Sequence, residues 1–294
     1  MNKFLFPIYR ILVPKPLRTI LLKRSLRTKI LNFYDSHTEN EVNEEQKEVS
    51  EYIENDEVRI LPYKFHNNYA PEKVEVMSDQ EKGMHYVLQD GKRLYFKKRW
   101  SKKKIQRSYC DLMREQDKES PHRYLTDSFT IGKDDVLADI GAAEGNFSLA
   151  VIESVKKVYI FEYDQEWIEA LNATFAPWAE KVEIIDKFVS DHNDSKNIRF
   201  DTFFENNKDV TFFKIDVDGA ESVVLSSCDK VFNSHVSFKI ALCTYHKHDD
   251  EEDFTSLLND YGFTVTPSKG YMINYYDKKL KAPYLRRGLI RAVR

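Results

Sequence analysis

The second half of the chain alternates short apolar runs with stretches that suit helices. Five runs are rich in β-branched and aromatic residues, at 135–140, 157–162, 182–186, 211–217 and 236–243. Strands that alternate with helices form right-handed βαβ units, which build a parallel sheet covered on both faces. Two further runs, 263–266 and 271–275, lie close together and predict a closing antiparallel hairpin. The pattern therefore predicts an α/β fold with a doubly wound, seven-stranded mixed sheet.

The first part of the chain is divided by charge. Residues 1–34 contain eight basic residues and no acid, whereas residues 35–59 contain ten acids and two basic residues. The acidic stretch predicts a solvated helix with a thin apolar stripe at Val49, Tyr52 and Ile53. The reversal of charge indicates a boundary between two segments.

The segment between the acidic stretch and the alternating half contains signals for both strands and a helix. Asp90-Gly91 separates two apolar runs, which predicts a β-hairpin. A basic run at 97–104 leads into a predicted helix near 108–115. We therefore expect three parts: a helical extension at 1–60, a small α+β cap at 61–128 and the main sheet domain at 129–294.

Overall composition excludes several classes of protein. The 45 basic and 48 acidic residues give a net charge of −3, which excludes a uniformly basic protein that coats nucleic acid. No apolar run reaches the roughly 20 residues of a membrane-spanning helix. The three cysteines lie far apart without a C-x-x-C pair, so we expect neither a disulfide framework nor a cysteine zinc site. These features predict a cytoplasmic protein.

The basic first segment has two interpretations. Prolines interrupt its apolar stretches and no small-residue cleavage site follows, which argues against a signal peptide. Leu22, Leu26, Ile30 and Phe33 form one helical stripe among basic residues. Such a helix can lie on an anionic membrane surface, on the inner face of the membrane for a cytoplasmic protein. Alternatively, it packs on its own domain or on a partner subunit of a homo-oligomer.

A glycine loop follows the first strand of the alternating half. The strand ends in Asp139, and a turn with Gly141 and Gly145 leads into a helix. Glycines let the backbone approach a ligand at the carboxyl end of this strand. Glu162, at the end of the next strand, lies where an acid can hold the two hydroxyls of a ribose.

This layout suits either NAD or S-adenosylmethionine (SAM). A dinucleotide needs a G-x-G-x-x-G turn that receives a pyrophosphate anion, but here the middle glycine is Ala143 and Glu144 adds a negative charge. Together with Asp139, that carboxylate repels diphosphate and suits the cationic amino group of SAM. SAM is the better interpretation, and the alternative is a purely structural turn.

A second motif ends the fourth strand of the series. The string K-I-D-V-D-G-A-E at 214–221 places Asp216 at the carboxyl edge of the sheet, beside Asp139 and Glu162. Glu221 also suits the first turn of a helix, where a carboxylate complements the helix dipole.

Together these strings resemble the FkbM-type SAM-dependent methyltransferases, which are bacterial class I enzymes with a Rossmann-like fold. The similar strings are D-I-G-A-x-x-G at 139–145, F-E at 161–162, F-D-T-F-F at 200–204 and K-I-D-V-D-G-A-E. Ala143 stands where the family usually has Asn, and Asp218 where it usually has Glu. The similarity extends over about residues 85–290. It implies transfer of a methyl group from SAM, with S-adenosylhomocysteine as product, to a hydroxyl of a sugar, glycolipid or secondary metabolite.

The resemblance also implies where the cofactor binds. The methionine part of SAM would contact the glycine loop, and the ribose would contact Glu162. The adenine would lie beside the segment after the third strand. The expected cofactor-binding residues are Asp139, Gly141, Ala142, Gly145, Asn146, Phe147, Glu162, Tyr163, Phe188, Val189, Asp191 and Asp216. No metal is implied.

Two groups of residues are candidates for catalysis and for binding the acceptor. His246 follows the fifth strand, and we expect it or Asp216 to act as the general base; a surface or capping histidine is the alternative. His122, Arg123, Tyr124 and Glu221 are the expected substrate-binding residues, although 120–124 can equally be a connecting turn. Two other functions stay open: an RNA methyltransferase that uses the basic run at 97–104, or a binding module that retains the fold without catalysis. The charge balance makes nucleic acid an improbable partner.

Overall fold

The computed structural model describes residues 14–38, 41–234 and 236–294. Residues 1–13 of the basic segment lie outside the described part. The structure therefore bears on the prediction for 1–34 only through residues 14–34. The described helices are α1 (Lys15–Asp35), α2 (Glu44–Asn55), α3 (Lys102–Glu115), α4 (Asn146–Val151), α5 (Gln165–Phe175), α6 (Phe200–Asn206), α7 (Glu221–Ser226), α8 (Asp229–Phe232) and α9 (Asp250–Asp260). The described strands are β1 (Met77–Asp79), β2 (Met84–Gln89), β3 (Lys92–Tyr95), β4 (Val136–Ile140), β5 (Lys157–Glu162), β6 (Val182–Asp186), β7 (Phe188–Val189), β8 (Asn197–Ile198), β9 (Phe212–Ile215), β10 (Lys239–Cys243), β11 (Thr264–Pro267) and β12 (Leu289–Val293).

The main sheet has seven strands, which confirms the predicted doubly wound α/β fold. Its order is β11-β12-β10-β9-β4-β5-β6. Five neighbouring strands are parallel, in the order β10, β9, β4, β5 and β6. Strand β12 pairs antiparallel with both β10 and β11. The chain order reverses between β4 and β9, and ligands of such sheets bind at this switch point, beyond the carboxyl ends of the strands. The candidate site is therefore expected there.

The predicted terminal hairpin is wrong. β11 pairs with β12, at Leu289–Val293, and not with residues 271–275. Tyr271, Met272 and Ile273 are buried, but they are buried against the N-terminal helices. Their apolar character therefore reflects contact with another part of the molecule and not membership of the sheet.

The sheet β1-β2-β3 forms the small antiparallel unit before the main sheet. Asp90 and Gly91 both adopt positive φ, at 49° and 78°, as a tight hairpin turn requires. The predicted hairpin is thus present between β2 and β3. Leu94 and Phe96 are fully buried in the same apolar core as Leu137 of β4, so this unit packs directly on the main sheet.

Helices α1 and α2 form a further core with the segment 268–288. Leu26 and Ile30 of α1 pack with the predicted stripe of α2, Val49, Tyr52 and Ile53. An Asn43–Gln46 capping box begins α2 and satisfies two exposed amide groups. Among the described helices, none combines the length and apolar character needed to cross a membrane.

Candidate functional site

The glycine loop joins β4 to α4 and depends on close backbone contact. Gly141 has a φ of 77°, and a Cβ there would lie 2.1 Å from the carbonyl oxygen of Asp216. A Cβ on Gly145 would lie 2.7 Å from a methyl carbon of Leu171. Ala143 also has positive φ, at 49°. Only glycine fits at 141 and 145, so the loop is drawn tightly over the ends of β4 and β9.

Asp139 lies beneath this loop. Its side chain is 1% exposed, accepts a hydrogen bond of 2.6 Å from Ser148 Oγ and lies 3.1 Å from Lys214 Nζ. Lys214 also donates to the carbonyl oxygen of Gly141. Burial alone would lower the pKa of Lys214, but Asp139 and Asp216 outweigh it and hold that pKa above its usual range. Asp139 therefore anchors the loop through an internal ion pair.

Glu144 is the buried acid of the loop itself. It is 6% exposed, and burial, reinforced by the neighbouring carboxylates Glu115 and Asp139, raises its pKa to about 8. Burial also raises the pKa of Glu115, at the end of α3. Glu144 has no described ion pair, in contrast to Asp139. A cation bound at this loop would therefore be stabilised by an acid that is otherwise costly to ionise.

Glu162 closes the opposite side of the loop from the end of β5. One carboxylate oxygen accepts the amide of Ala143 at 3.0 Å, and the other accepts the amides of Tyr163 and Asp164, each at 2.8 Å. The side chain is only half-buried. It is thus held firmly in place and still reachable by the hydroxyls of a ligand.

An exposed aromatic pair adjoins Glu162. The rings of Tyr163 and Phe188 lie 4.4 Å apart, and Phe188 is 53% exposed. Val189 is buried, whereas Asp191 is exposed and accepts a hydrogen bond from Ser190 Oγ. The pair offers a flat apolar surface next to the carboxylate, as a purine base and its ribose would require.

Asp216 occupies the switch point after β9. Its Oδ2 accepts a 2.9 Å hydrogen bond from the hydroxyl of Tyr124 and lies 3.4 Å from His122 Nε2. Burial would raise the pKa of Asp216, but His122, Lys214 and His246 lower it below its usual range. Asp216 is therefore a carboxylate that stays ionised at neutral pH.

His246 follows β10 and lies among three carboxylates. Its Nδ1 is 3.0 Å from Glu221 Oε1, and its Nε2 is 3.7 Å from Asp216 Oδ1 and 3.8 Å from Asp218 Oδ1. Burial would lower the pKa of His246, but the three carboxylates raise it. The Nε2 distances exceed those of hydrogen bonds, so this nitrogen has no direct partner among those carboxylates. His246 thus has the position of a proton acceptor at the sheet edge.

The other predicted residues lie around this centre in different ways. Tyr124 is buried, and its ring contacts Phe147 of α4 at 5.0 Å. Arg123 is partly exposed, and its carbonyl accepts a hydrogen bond from Arg291. Ala142 is buried and Asn146 partly exposed in the loop. The fold thus brings the loop, Asp216, Tyr124 and His246 together, whereas Asp191 lies at the surface on the aromatic side.

Within the described residues, two groups of three have the spacing of possible metal ligands. They are His122, Asp216 and Cys243, and Asp216, Glu221 and His246, with ligand atoms within 4.8 Å of one another. Part of each group is in direct contact: His122 Nε2 lies 3.5 Å from Cys243 Sγ, and His246 Nδ1 lies 3.0 Å from Glu221 Oε1. The absence of a metal stays a prediction.

Sequence reasoning missed Lys214 and Glu115 as parts of the site. A lysine inside the apolar run of a doubly covered strand is a usable signal, because a buried charge needs a partner. Glu115 gave no such signal, since it ends an amphipathic helix like many exposed acids.

The strand order, with the candidate site at the carboxyl edge of the sheet, is that of the predicted doubly wound, Rossmann-like α/β fold. Residues 178–265 match the family described as the methyltransferase FkbM domain. This confirms the resemblance drawn from the sequence, over a segment that includes the F-D-T-F-F and K-I-D-V-D-G-A-E strings. This segment of the chain is therefore similar to the FkbM methyltransferase domain.

Solved structures with related folds include a methyltransferase FkbM from Methylobacillus flagellatus KT, at 15% identity and a TM-score of 0.45. That match covers 58% of this chain and 46% of the other, so the chain spans less than half of that protein. An rRNA methylase from Streptococcus thermophilus matches at 15% identity and a TM-score of 0.32, covering 55% of this chain and 87% of the other. No curated protein matches the sequence.

Proposed function

We propose that the protein transfers a methyl group from SAM to a hydroxyl oxygen. The observation that carries this proposal is the set of acids around the glycine loop: within the described part of the chain, Glu144, Glu115 and Glu162 form no ion pair, and the buried Lys214 is engaged by Asp139 and Asp216. SAM carries a sulfonium and an ammonium group, and a cation at this loop would favour the ionised form of Glu144, whereas the diphosphate of NAD would find no free buried cation among these residues.

The pieces of the cofactor have separate places in this proposal. Glu144 would hold the ammonium group, Glu162 would hold the ribose hydroxyls, and Tyr163 and Phe188 would flank the adenine. When bound, the cofactor supplies an electrophilic methyl group. The chain's own residues orient it and keep water from the loop.

The acceptor hydroxyl lies at the end of β9 and β10. Asp216 orients the hydroxyl, and His246 Nε2 accepts its proton as the methyl group transfers. Glu221 holds His246 from the opposite nitrogen, which fixes the orientation of the ring. The transfer needs a positioned hydroxyl first and a base second, and this arrangement supplies both.

The acceptor class follows from the resemblance to FkbM-type enzymes: a sugar, a glycolipid or a secondary metabolite. RNA is less well supported. Lys97, Lys98 and Arg99 of the basic run each pair with an acid of the α5 region, namely Asp164, Glu169 and Glu166. Much of the charge that would contact phosphates is therefore neutralised within the protein.

Calorimetric titration with SAM tests the cofactor. We expect the full-length protein to bind SAM, and Glu162→Gln to weaken binding by about 1–3 kcal/mol, because it loses charge-assisted hydrogen bonds to the ribose. Glu205→Gln is the matched control, since Glu205 is an exposed acid paired with Lys230 on another face. Equal affinity in Glu162→Gln and the control would contradict this cofactor site.

Incubation with methyl-labelled SAM and extracted glycans, glycolipids and RNA tests the reaction. We expect label in the carbohydrate-containing fractions as an O-methyl ether, detected by mass spectrometry, and its loss in His246→Ala. Label in RNA alone would replace the acceptor class. SAM binding without transfer to any fraction would favour the non-catalytic binding module.

A further inference from the structure

Helix α1 has an apolar face that the described structure leaves uncovered. Leu17, Ile20 and Leu21 are 47%, 47% and 43% exposed. Residues spaced by three and four positions lie on one side of a helix, so these three form a continuous patch. Leu26 and Ile30 of the same helix are buried, at 6% and 0% exposure. They face the opposite side, toward α2, so α1 is apolar on two sides, of which the described residues cover only one.

The packed side of α1 is firmly attached to the rest of the protein. Arg27 Nε donates to the carbonyl oxygen of Ile53 at 2.8 Å, and the Tyr34 hydroxyl donates to the carbonyl oxygen of Pro283 at 3.0 Å. Lys23 pairs with Glu57. These contacts fix the orientation of the helix, so the uncovered face is presented outward by the folded protein.

The exposed charged side chains that α1 itself carries before Asp35 are basic. Arg24 continues the patch at the next helical turn, and Lys29 is exposed farther along. Within the described part of the chain, neither forms an ion pair with an acid. Sequence before α1 adds Lys3 and Arg10 among large apolar residues, with no acid in 1–34. A partner for this face must therefore be both apolar and anionic.

We propose that this face docks the protein onto an anionic lipid bilayer. Three adjacent apolar side chains beside unpaired basic residues match the boundary between lipid tails and anionic headgroups. The proposal is independent of the methyl-transfer reaction. It keeps the helix parallel to the membrane surface, with Leu26 and Ile30 still in the protein core.

Helix α1 is connected to the candidate site through one intermediate segment, residues 268–288. The segment 268–288 packs against α1 and contains Arg286, whose guanidinium donates to the carbonyl oxygens of Tyr245 and His246 at 3.0 and 2.6 Å. One packed unit therefore connects the membrane-facing helix to the wall of the site.

Vesicle sedimentation with the full-length protein tests the proposal. We expect binding to vesicles of phosphatidylcholine mixed with phosphatidylglycerol, and much weaker binding to phosphatidylcholine alone or at high salt. Replacing Leu17, Ile20 and Leu21 together by Ser should lower the partition coefficient at least about tenfold. Arg24→Glu with Lys29→Glu should also weaken binding to the mixed vesicles.

The matched control replaces three other exposed apolar side chains by Ser, at Leu88, Tyr276 and Val293. This variant should bind the mixed vesicles like the wild type. Unchanged circular dichroism and melting temperature verify that the α1 variants are folded. Equal binding by wild type and the triple α1 variant would overturn the proposal. A wild-type dimer that the α1 substitutions dissociate, with no vesicle binding, would overturn it as well and assign the face to self-association.

Discussion

Glu144 should make the free energy of unfolding depend strongly on pH, and its substitution should remove that dependence. Burial raises its pKa from 4.5 to about 8. Between these values the folded protein keeps a proton that the unfolded chain has already lost. The contribution of Glu144 to the free energy of unfolding is therefore fully present below about pH 4.5 and declines as the pH rises toward 8.

The size of the effect follows from the two pKa values. One pKa unit corresponds to about 1.36 kcal/mol, and integration between pH 5.5 and 8 gives a loss of about 3 kcal/mol from Glu144 alone. A folded pKa of about 7 would still give about 2 kcal/mol. Glu144→Gln removes the titration while keeping the size and shape of the side chain.

Urea unfolding of wild type and Glu144→Gln at pH 5.5 and pH 8 measures this effect. Other groups titrate equally in both proteins, so the difference between their unfolding free energies isolates Glu144. We expect the variant to gain about 3 kcal/mol relative to wild type between the two pH values. A relative change below about 1 kcal/mol would refute a buried, unpaired acid at this position.

The same variant separates structure from binding. If Glu144 faces the ammonium group of SAM, the bound cation will favour its ionised form. Saturating SAM should then flatten the pH dependence of wild-type stability and leave that of Glu144→Gln unchanged. A flattening of equal size in both proteins would place the ammonium group elsewhere.

Other perturbations have equally definite outcomes. Gly141→Ala should destabilise the fold by more than about 1 kcal/mol in urea unfolding, because it combines a positive φ with a backbone collision; a neutral change would disprove the close approach. Lys214→Met should cost about 3–5 kcal/mol because it leaves the buried Asp139 without its cationic partner, and the added change Asp139→Asn should recover much of that loss. His246→Ala should lower turnover by roughly 10²–10⁴-fold while SAM binding persists. Wild-type turnover should rise with pH, with a midpoint above the usual histidine pKa because neighbouring carboxylates raise the pKa of His246. Glu221→Gln should move that midpoint to lower pH, and an unchanged midpoint would exclude Glu221 as its positioning residue.

The main sheet was predictable because its strands are buried on both faces. Each of β4, β5, β9 and β10 therefore appears as a compact apolar run, and the acids at the ends of β4, β5 and β9 mark the carboxyl edge. The segment 271–275 has the same apolar character for a different reason, since it packs against α1 and α2. Local pattern does not distinguish a strand from an irregular segment buried by distant residues, which is why the last strand was misplaced.

The candidate site was predictable to the extent that its residues follow strand ends. Asp139, Glu162, Asp216 and His246 all lie at that edge. The partners of each residue were not predictable, since Tyr124 reaches Asp216 across 92 positions. The pKa of Glu144 likewise depends on Glu115, which is the last residue of α3. Charge state at the site is therefore a property of the packed structure and not of the motif.

The acids of the site differ in what they can offer a ligand. Asp139 was expected to contact SAM directly, but it is 1% exposed and its oxygens contact Ser148 and Lys214. Its removal would free the buried Lys214 ammonium and disturb the loop even if no ligand touched the carboxylate. Weaker SAM binding in Asp139→Ala therefore does not by itself identify a cofactor contact. Glu162 is half-buried and accepts three amide hydrogen bonds, one of them from Ala143 of the loop. Glu162→Gln keeps the size of the side chain and an acceptor oxygen for these amides, so it reports on binding more directly than Asp139→Ala.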